Sequence, residues 1–140
     1  MWSLRENPRP HSTNKALRSA GGHVHIAYTK DRIGLGRACD LFLGCHSIMF
    51  DPDQQRRLLY VKAGAVRKKE YGLEYRTLSN FWIKSPELIS MIFSQVVQAI
   101  DFTEKGNKIP REDAIKVIKC VNQTDHNLLR ELTEKYELMY

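Results

Sequence analysis

Two short stretches of this chain alternate polar and apolar residues, and most of the rest repeats with a helical period. In Gly21-Gly22-His23-Val24-His25-Ile26 the polar residues stand two apart. Residues i and i+2 share one face of a strand, so His23 and His25 point one way and Val24 and Ile26 the other. Gly72-Leu73-Glu74-Tyr75-Arg76-Thr77 repeats the pattern, with Glu74 and Arg76 opposite Leu73 and Tyr75. Strands are predicted over 22–29 and 71–78. Leu35, Ala38, Cys39 and Phe42 predict a helix over 35–43 that Gly44 ends. Ser47–Phe50 reads as a helix end or a short strand. Asp51-Pro52 resembles a cap followed by proline at the first helical position, with a short helix or turn over 53–59. Lys68-Lys69-Glu70 predicts a turn.

The back half is helical. Ser85-Pro86-Glu87 supplies a cap, a first-turn proline and a first-turn acid. Ile89, Ile92, Phe93, Val96 and Ile100 then predict an inward stripe about 100° wide on the main core helix. Gly106-Asn107 ends it. Pro110 opens a helix with Ala114, Ile115 and Ile118 inward. Thr124 or Asp125 caps a last one with Leu128, Leu129, Leu132 and Tyr136 inward. The predicted fold class is α+β, a curved antiparallel sheet backed by helices, with a helical C-terminal half.

The length of 140 residues suggests one domain. Residues 1–20 are polar, with little periodicity, and read as an arm or linker; residues 21–140 hold the domain. A net charge of +6 favours anionic partners. The basic residues are scattered, not striped along one helix, so nucleic acid is a weak expectation. Cys39, Cys45 and Cys120 match no metal spacing, and an odd count argues against a disulfide framework. Buried, reduced thiols in the cytoplasm are the simplest expectation. The apolar run from Leu88 to Ile100 is interrupted by serines and glutamines, so no membrane span is expected. Met1–Pro10 has no apolar run of the kind a signal peptide carries.

The polar faces of the two strands hold the candidate chemistry. Two histidines on one strand face can reach a common metal or anion, and Gly21-Gly22 allows a close approach. A buried Glu74 needs a cation. Arg67 and Arg76 are fixed cations near it in sequence, and Lys62 is a further candidate. Two arginines and two histidines around one glutamate suit polyphosphate with Mg²⁺. A purely structural ion-pair network is the plainer alternative. Gly34-Leu35-Gly36 lacks a third glycine and a β-α-β setting, so it is no nucleotide loop. Phe81 and Trp82 read as core, and His11, His46 and His126 have no partner in the sequence.

Arg18–Ile26, Leu59–Arg67 and Tyr71–Trp82, in that order, resemble the glutamine-synthetase-like carboxylate–amine ligases, specifically their phage type 2 amidoligases. Asp40-Leu41-Phe42-Leu43-Gly44 fits as well. The resemblance covers roughly 6–82. It implies part of a glutamine-synthetase-like catalytic fold, with its site motifs over 21–82 and a helical part over 85–138. It also implies an ATP-dependent ligase that makes an acyl phosphate and lets an amine displace the phosphate. By that resemblance His23 and Glu74 would ligate metal, Mg²⁺ being the expected ion, and His25, Lys62 and Arg67 would contact ATP. Arg67 and Arg76 would act on the transferring phosphate and the acyl group. Substrates would be a small or peptide carboxylate and an amine.

Ala27 and Val61 stand where the family usually has glycine, and the family's upstream acidic strand is expected before residue 1. The chain is therefore expected to be the C-terminal part of such a ligase in a phage-infected cell's cytoplasm. It would be completed by an N-terminal partner or by self-association. The alternative is a non-catalytic remnant or subunit that binds nucleotide or protein. A single site requires Glu74 to lie within about 10 Å of His23, since direct metal ligands sit about 2–2.6 Å from the ion.

Overall fold

The structure, a computed structural model, describes residues 21–59 and 61–138. The predicted arm over residues 1–20 lies outside the described residues. Three antiparallel strands run β1 (Val24–Ile26), β2 (Val66–Lys69) and β3 (Gly72–Tyr75), in the spatial order β1-β3-β2. The helices are α1 (Arg32–Cys39), α2 (Cys45–Ser47), α3 (Gln54–Leu59), α4 (Pro86–Glu104), α5 (Arg111–Gln123) and α6 (His126–Tyr136). The class is α+β, as the periodicities predict.

β3 is the central strand and is buried along its whole length. Leu73 and Tyr75 enter the core that α1, α4 and α5 complete. Both strand predictions were too long: the regular ladder covers only Val24–Ile26 and Gly72–Tyr75, with single backbone bonds such as Gly22 N to the Leu78 carbonyl beyond it. The predicted turn at Lys68-Lys69-Glu70 is instead mostly strand. Lys68 pairs with Leu73 and Lys69 with Gly72, and only then does the chain turn. Gly72 makes that turn possible at φ +156°, where an added Cβ would lie 2.1 Å from the Ile26 carbonyl oxygen. Arg32 of α1 holds the hairpin by donating from Nε to the Gly72 carbonyl at 3.2 Å.

Gly44 does not end the first helix. α1 continues through a π-helical turn (Asp40–Gly44) into α2. Gly44 is needed there for space, since a Cβ would meet the Tyr75 hydroxyl at 2.7 Å. Leu35, Ala38, Cys39 and Phe42 are buried as predicted. The cap of α3 is Asp53, whose Oδ1 accepts from Arg56 N at 3.0 Å, and not Asp51. Asp51 is drawn inward by Arg56 and Arg57 instead. Ser85 caps α4 and Asp125 caps α6 through their side chains.

Two inward assignments fail. On α4 the buried positions are Ile92, Gln95, Ala99 and Thr103, while Ile89 and Phe93 face outward. The five predicted positions span more arc than α1 and the π-helical turn cover. On α5, Ala114 is buried but Ile115 is exposed. All three cysteines are free and buried, as expected. Among the described residues no helix is long and apolar enough to cross a membrane.

Gly72→Ala is expected to lose about 2–4 kcal/mol of stability, because its Cβ strikes backbone that cannot move without unpairing β1. Gly106→Ala is the control: its φ is also positive, at 73°, but nothing lies within 4 Å of the added Cβ. It should cost only about 1 kcal/mol. Urea denaturation of the two variants measures the difference.

Candidate active site

The register fixes the site. His25 lies opposite Glu74 across β1–β3, and Arg67 lies opposite Glu74 across β2–β3. Cross-strand partners share a face, so Glu74 stands at the centre of a row with a histidine on one side and an arginine on the other. Lys69 and Arg76, each two residues along its strand, join the same face.

Four basic groups converge on the Glu74 carboxylate, whose side chain is 4% exposed. His23 Nδ1 donates to Oε1 at 3.1 Å and Arg76 Nη1 donates to Oε1 at 2.9 Å. Arg67 Nη1 reaches Oε2 at 3.4 Å and Lys69 Nζ at 3.3 Å. His23 and Arg76 are the closer and more enclosed members. Arg67 and Lys69 make longer contacts and reach solvent. His25 is exposed and its Nδ1 hydrogen-bonds the Tyr71 hydroxyl. Lys62 does not join Glu74: its side chain is exposed, and its backbone carbonyl accepts from Thr77 Oγ1 at 3.2 Å.

Burial pushes the Glu74 carboxyl up, but the hydrogen bond from Lys69 and the charges of Arg67 and Arg76 outweigh it and hold the group below its ordinary value. Burial and the Arg76 charge push His23 down, despite the pull of Glu74. The short His23–Glu74 contact is therefore read as a neutral imidazole donating to a carboxylate, not as an ion pair. That hydrogen bond fixes the tautomer and leaves the Nε2 lone pair unused. Nε2 is buried without a hydrogen-bond partner among the described residues, and it fills the space where Gly21 lacks a Cβ, 2.4 Å from the ideal position. Among the described residues no group of three or more His, Cys, Asp or Glu is placed to hold a metal ion.

The opposite face of β3 is anchored by a second polar set that period-two reading passes over. Tyr75 donates its hydroxyl to Asp40 Oδ1 at 2.9 Å, and both side chains are fully buried. Arg56 donates to the Thr77 and Leu78 carbonyls at 3.3 and 2.9 Å, holding the chain just past β3. Asp40 stands among apolar residues at the start of the π-helical turn, and the Asp40–Gly44 segment was legible in the sequence only as part of the family resemblance. Lys69 was hidden by the turn reading. His46, unpartnered in the sequence, is a core residue between the Phe42 carbonyl and Gln95. Phe81 is buried and Trp82 donates to the Gly22 carbonyl at 3.1 Å, so both serve the fold. Gly34 and Gly36 lie inside α1. Burial pushes the Cys39 and Cys45 thiols up, away from the thiolate form.

The sheet face thus holds one buried carboxylate ringed by four basic side chains on an α+β scaffold. The chain belongs to the family described as phage phiEco32-like COOH-NH2 ligase type 2, whose sequence model matches residues 13–138. The match includes every residue of the Glu74 cluster. No curated protein and no solved structure gives a significant match.

Both shifts carry a pH consequence. His23 is held below 6.5 in the fold, so its share of stability is present above about pH 6.5 and is lost as pH falls through the lowered value. Glu74 is held below 4.5, so its share persists to lower pH and is lost as pH falls below about 4.5. Stability should therefore decline in two steps on acidification. Glu74→Gln should lose about 1–3 kcal/mol at pH 7 and show a smaller lower step, the remainder coming from carboxylates such as Asp113 that are also held below their ordinary values. Urea denaturation at pH 7.5, 5.5 and 3.5 reads both.

Proposed function

We propose that this chain carries the phosphate-handling face of an ATP-dependent carboxylate–amine ligase with a glutamine-synthetase-like catalytic sheet. The observation that supports this most directly is the convergence of His23, Arg67, Lys69 and Arg76 on Glu74 from three adjacent strands. Transfer of a phosphoryl group calls mainly for positioning and charge neutralisation. This face concentrates both.

In this reading the carboxylate substrate attacks the terminal phosphorus of ATP, forming the acyl phosphate and releasing ADP. The amine then attacks the acyl carbon and displaces phosphate. Arg67 and Lys69 leave Glu74 for the transferring phosphate, which their exposure and longer contacts allow. Arg76 stays on Glu74 and turns its remaining guanidinium donors to the acyl oxygen, while His25 holds the outer phosphates. Glu74 keeps the cations together before the nucleotide arrives.

His23 and Glu74 are the candidate metal-binding pair. The neutral imidazole has an unused Nε2, and a single carboxylate plus substrate phosphates and water is an ordinary Mg²⁺ environment. Bound there, Mg²⁺ would neutralise phosphate charge. With Glu74 accepting from Nδ1, an ion on Nε2 would lie on the far side of the ring, so His23 would be the direct donor and Glu74 would orient the imidazole.

Binding without turnover is the second reading. It is favoured by the small number of metal donors among the described residues. Calorimetry with Mg²⁺-ATP should give binding to the wild-type chain, weakened at least tenfold in Arg67→Ala and in Glu74→Gln. Incubation with ¹⁸O-labelled carboxylates, an amine and ATP should move label into phosphate if the acyl phosphate forms. Binding without label transfer supports the second reading. No binding at all contradicts both.

A further inference from the structure

The outward side of α4 carries what the core prediction misplaced. Phe93 is 70% exposed, Ile89 46% and Val97 41%, spaced four residues apart on one stripe. From Leu88 to Ile100 the helix has no charged residue, in a chain that is 27% charged. Loss of charge at the centre with charge at the edges is the pattern of a protein interface. Here the edges are Glu87 at one end and Asp101 and Glu104 at the other, with Lys84 just before the helix.

From these features we infer that this face of α4 is a two-fold interface with a second copy of the chain, the helices packed antiparallel about Phe93. The stripe matches itself under a reversed pairing, and the charges decide for that sense. Ile89 and Val97 lie four residues either side of Phe93, so reversal places Ile89 against the partner copy's Val97 and Phe93 against its own counterpart. Ser90 and Ser94 on the adjoining side are small enough for close approach.

The same register matches the charges. Asp101 lies about 12 Å along the axis from Phe93 at ~1.5 Å per residue. It therefore falls level with the N-cap Ser85 of the other copy, next to that copy's Lys84. A carboxylate there meets both a lysine and the positive end of a helix. Glu87, the one like charge nearby, sits about 120° round the helix from Phe93 and points away from the contact. A parallel pairing would instead align Asp101 with Asp101 and Glu104 with Glu104. The stripe is only two turns long and smaller than the ~800 Å² per partner of a standard interface. Association is accordingly expected to be weak, half complete at micromolar concentration.

The test is sedimentation equilibrium of the 140-residue chain from 1 to about 200 µM, a range chosen to bracket weak association. The wild type should pass from monomer to dimer. Phe93→Asp should stay monomeric at every concentration while keeping the wild-type far-UV circular dichroism. Lys84→Glu and Asp101→Lys should each weaken association several-fold, and the double exchange should recover most of it. A wild-type monomer throughout overturns the inference, as does a dimer that Phe93→Asp leaves intact. A dimer broken by Phe93→Asp but not recovered by the exchange overturns the antiparallel register.

Discussion

A carboxylate buried in the middle of a three-stranded sheet has to be neutralised, and this chain is organised around doing so at Glu74. Each flanking strand contributes. β1 is led in by His23, β2 carries Arg67 and Lys69, and β3 itself supplies Arg76. Arg76 shares the Glu74 face whatever the pairing, but His23, Arg67 and Lys69 reach Glu74 only in the observed register, because a slip of one residue would turn them to the other face. The ion cluster and the sheet are thus one cooperative unit. The other face of β3 locks the same register from inside through Tyr75 on Asp40, and Arg56 holds the Thr77 and Leu78 carbonyls just past the strand.

The cluster is not uniform. His23 and Arg76 are half-enclosed and close, whereas Arg67 and Lys69 are reached by solvent and sit further away. Arg67 and Lys69 reach solvent and can be rehydrated as they move, while His23 and Arg76 stay on the buried carboxylate. That division suits a site that must hold its charges ready and then pass some of them to an arriving anion. The neutral state of His23 follows from the same crowding. Burial disfavours a charge there first, and Arg76 and Arg67 beside it add to that. A neutral imidazole keeps a lone pair that a protonated one would lose.

Much of this was legible in the sequence. Period two placed His25, Glu74 and Arg76 on one face, and the need of a buried glutamate for cations brought in Arg67. The caps at Ser85 and Asp125 and the buried face of the first helix were legible for equally local reasons. Other features were not local. Whether Lys69 is turn or strand depends on Gly72, whose positive φ moves the turn one residue on. The role of Asp40 depends on Tyr75, thirty-five residues away. Gly44 reads as a helix end until the Tyr75 hydroxyl is placed against it. On α4, apolar residues lie on both the core-facing and the outward sides, and periodicity alone cannot divide them. The division came from α1, which covers one side and leaves Phe93 on the other.

The central claim is that Glu74 holds cations which an incoming phosphate chain takes over in part. The most direct measurement is NMR of the arginine and lysine side-chain nitrogens during titration with tripolyphosphate, which carries the charge of the nucleotide without its base. The Arg67 and Lys69 resonances are expected to shift with a common saturating curve, while Arg76 and His23 keep their hydrogen bonds to Glu74. Absence of any shift at Arg67 and Lys69, or saturation at basic residues elsewhere on the surface, would contradict it.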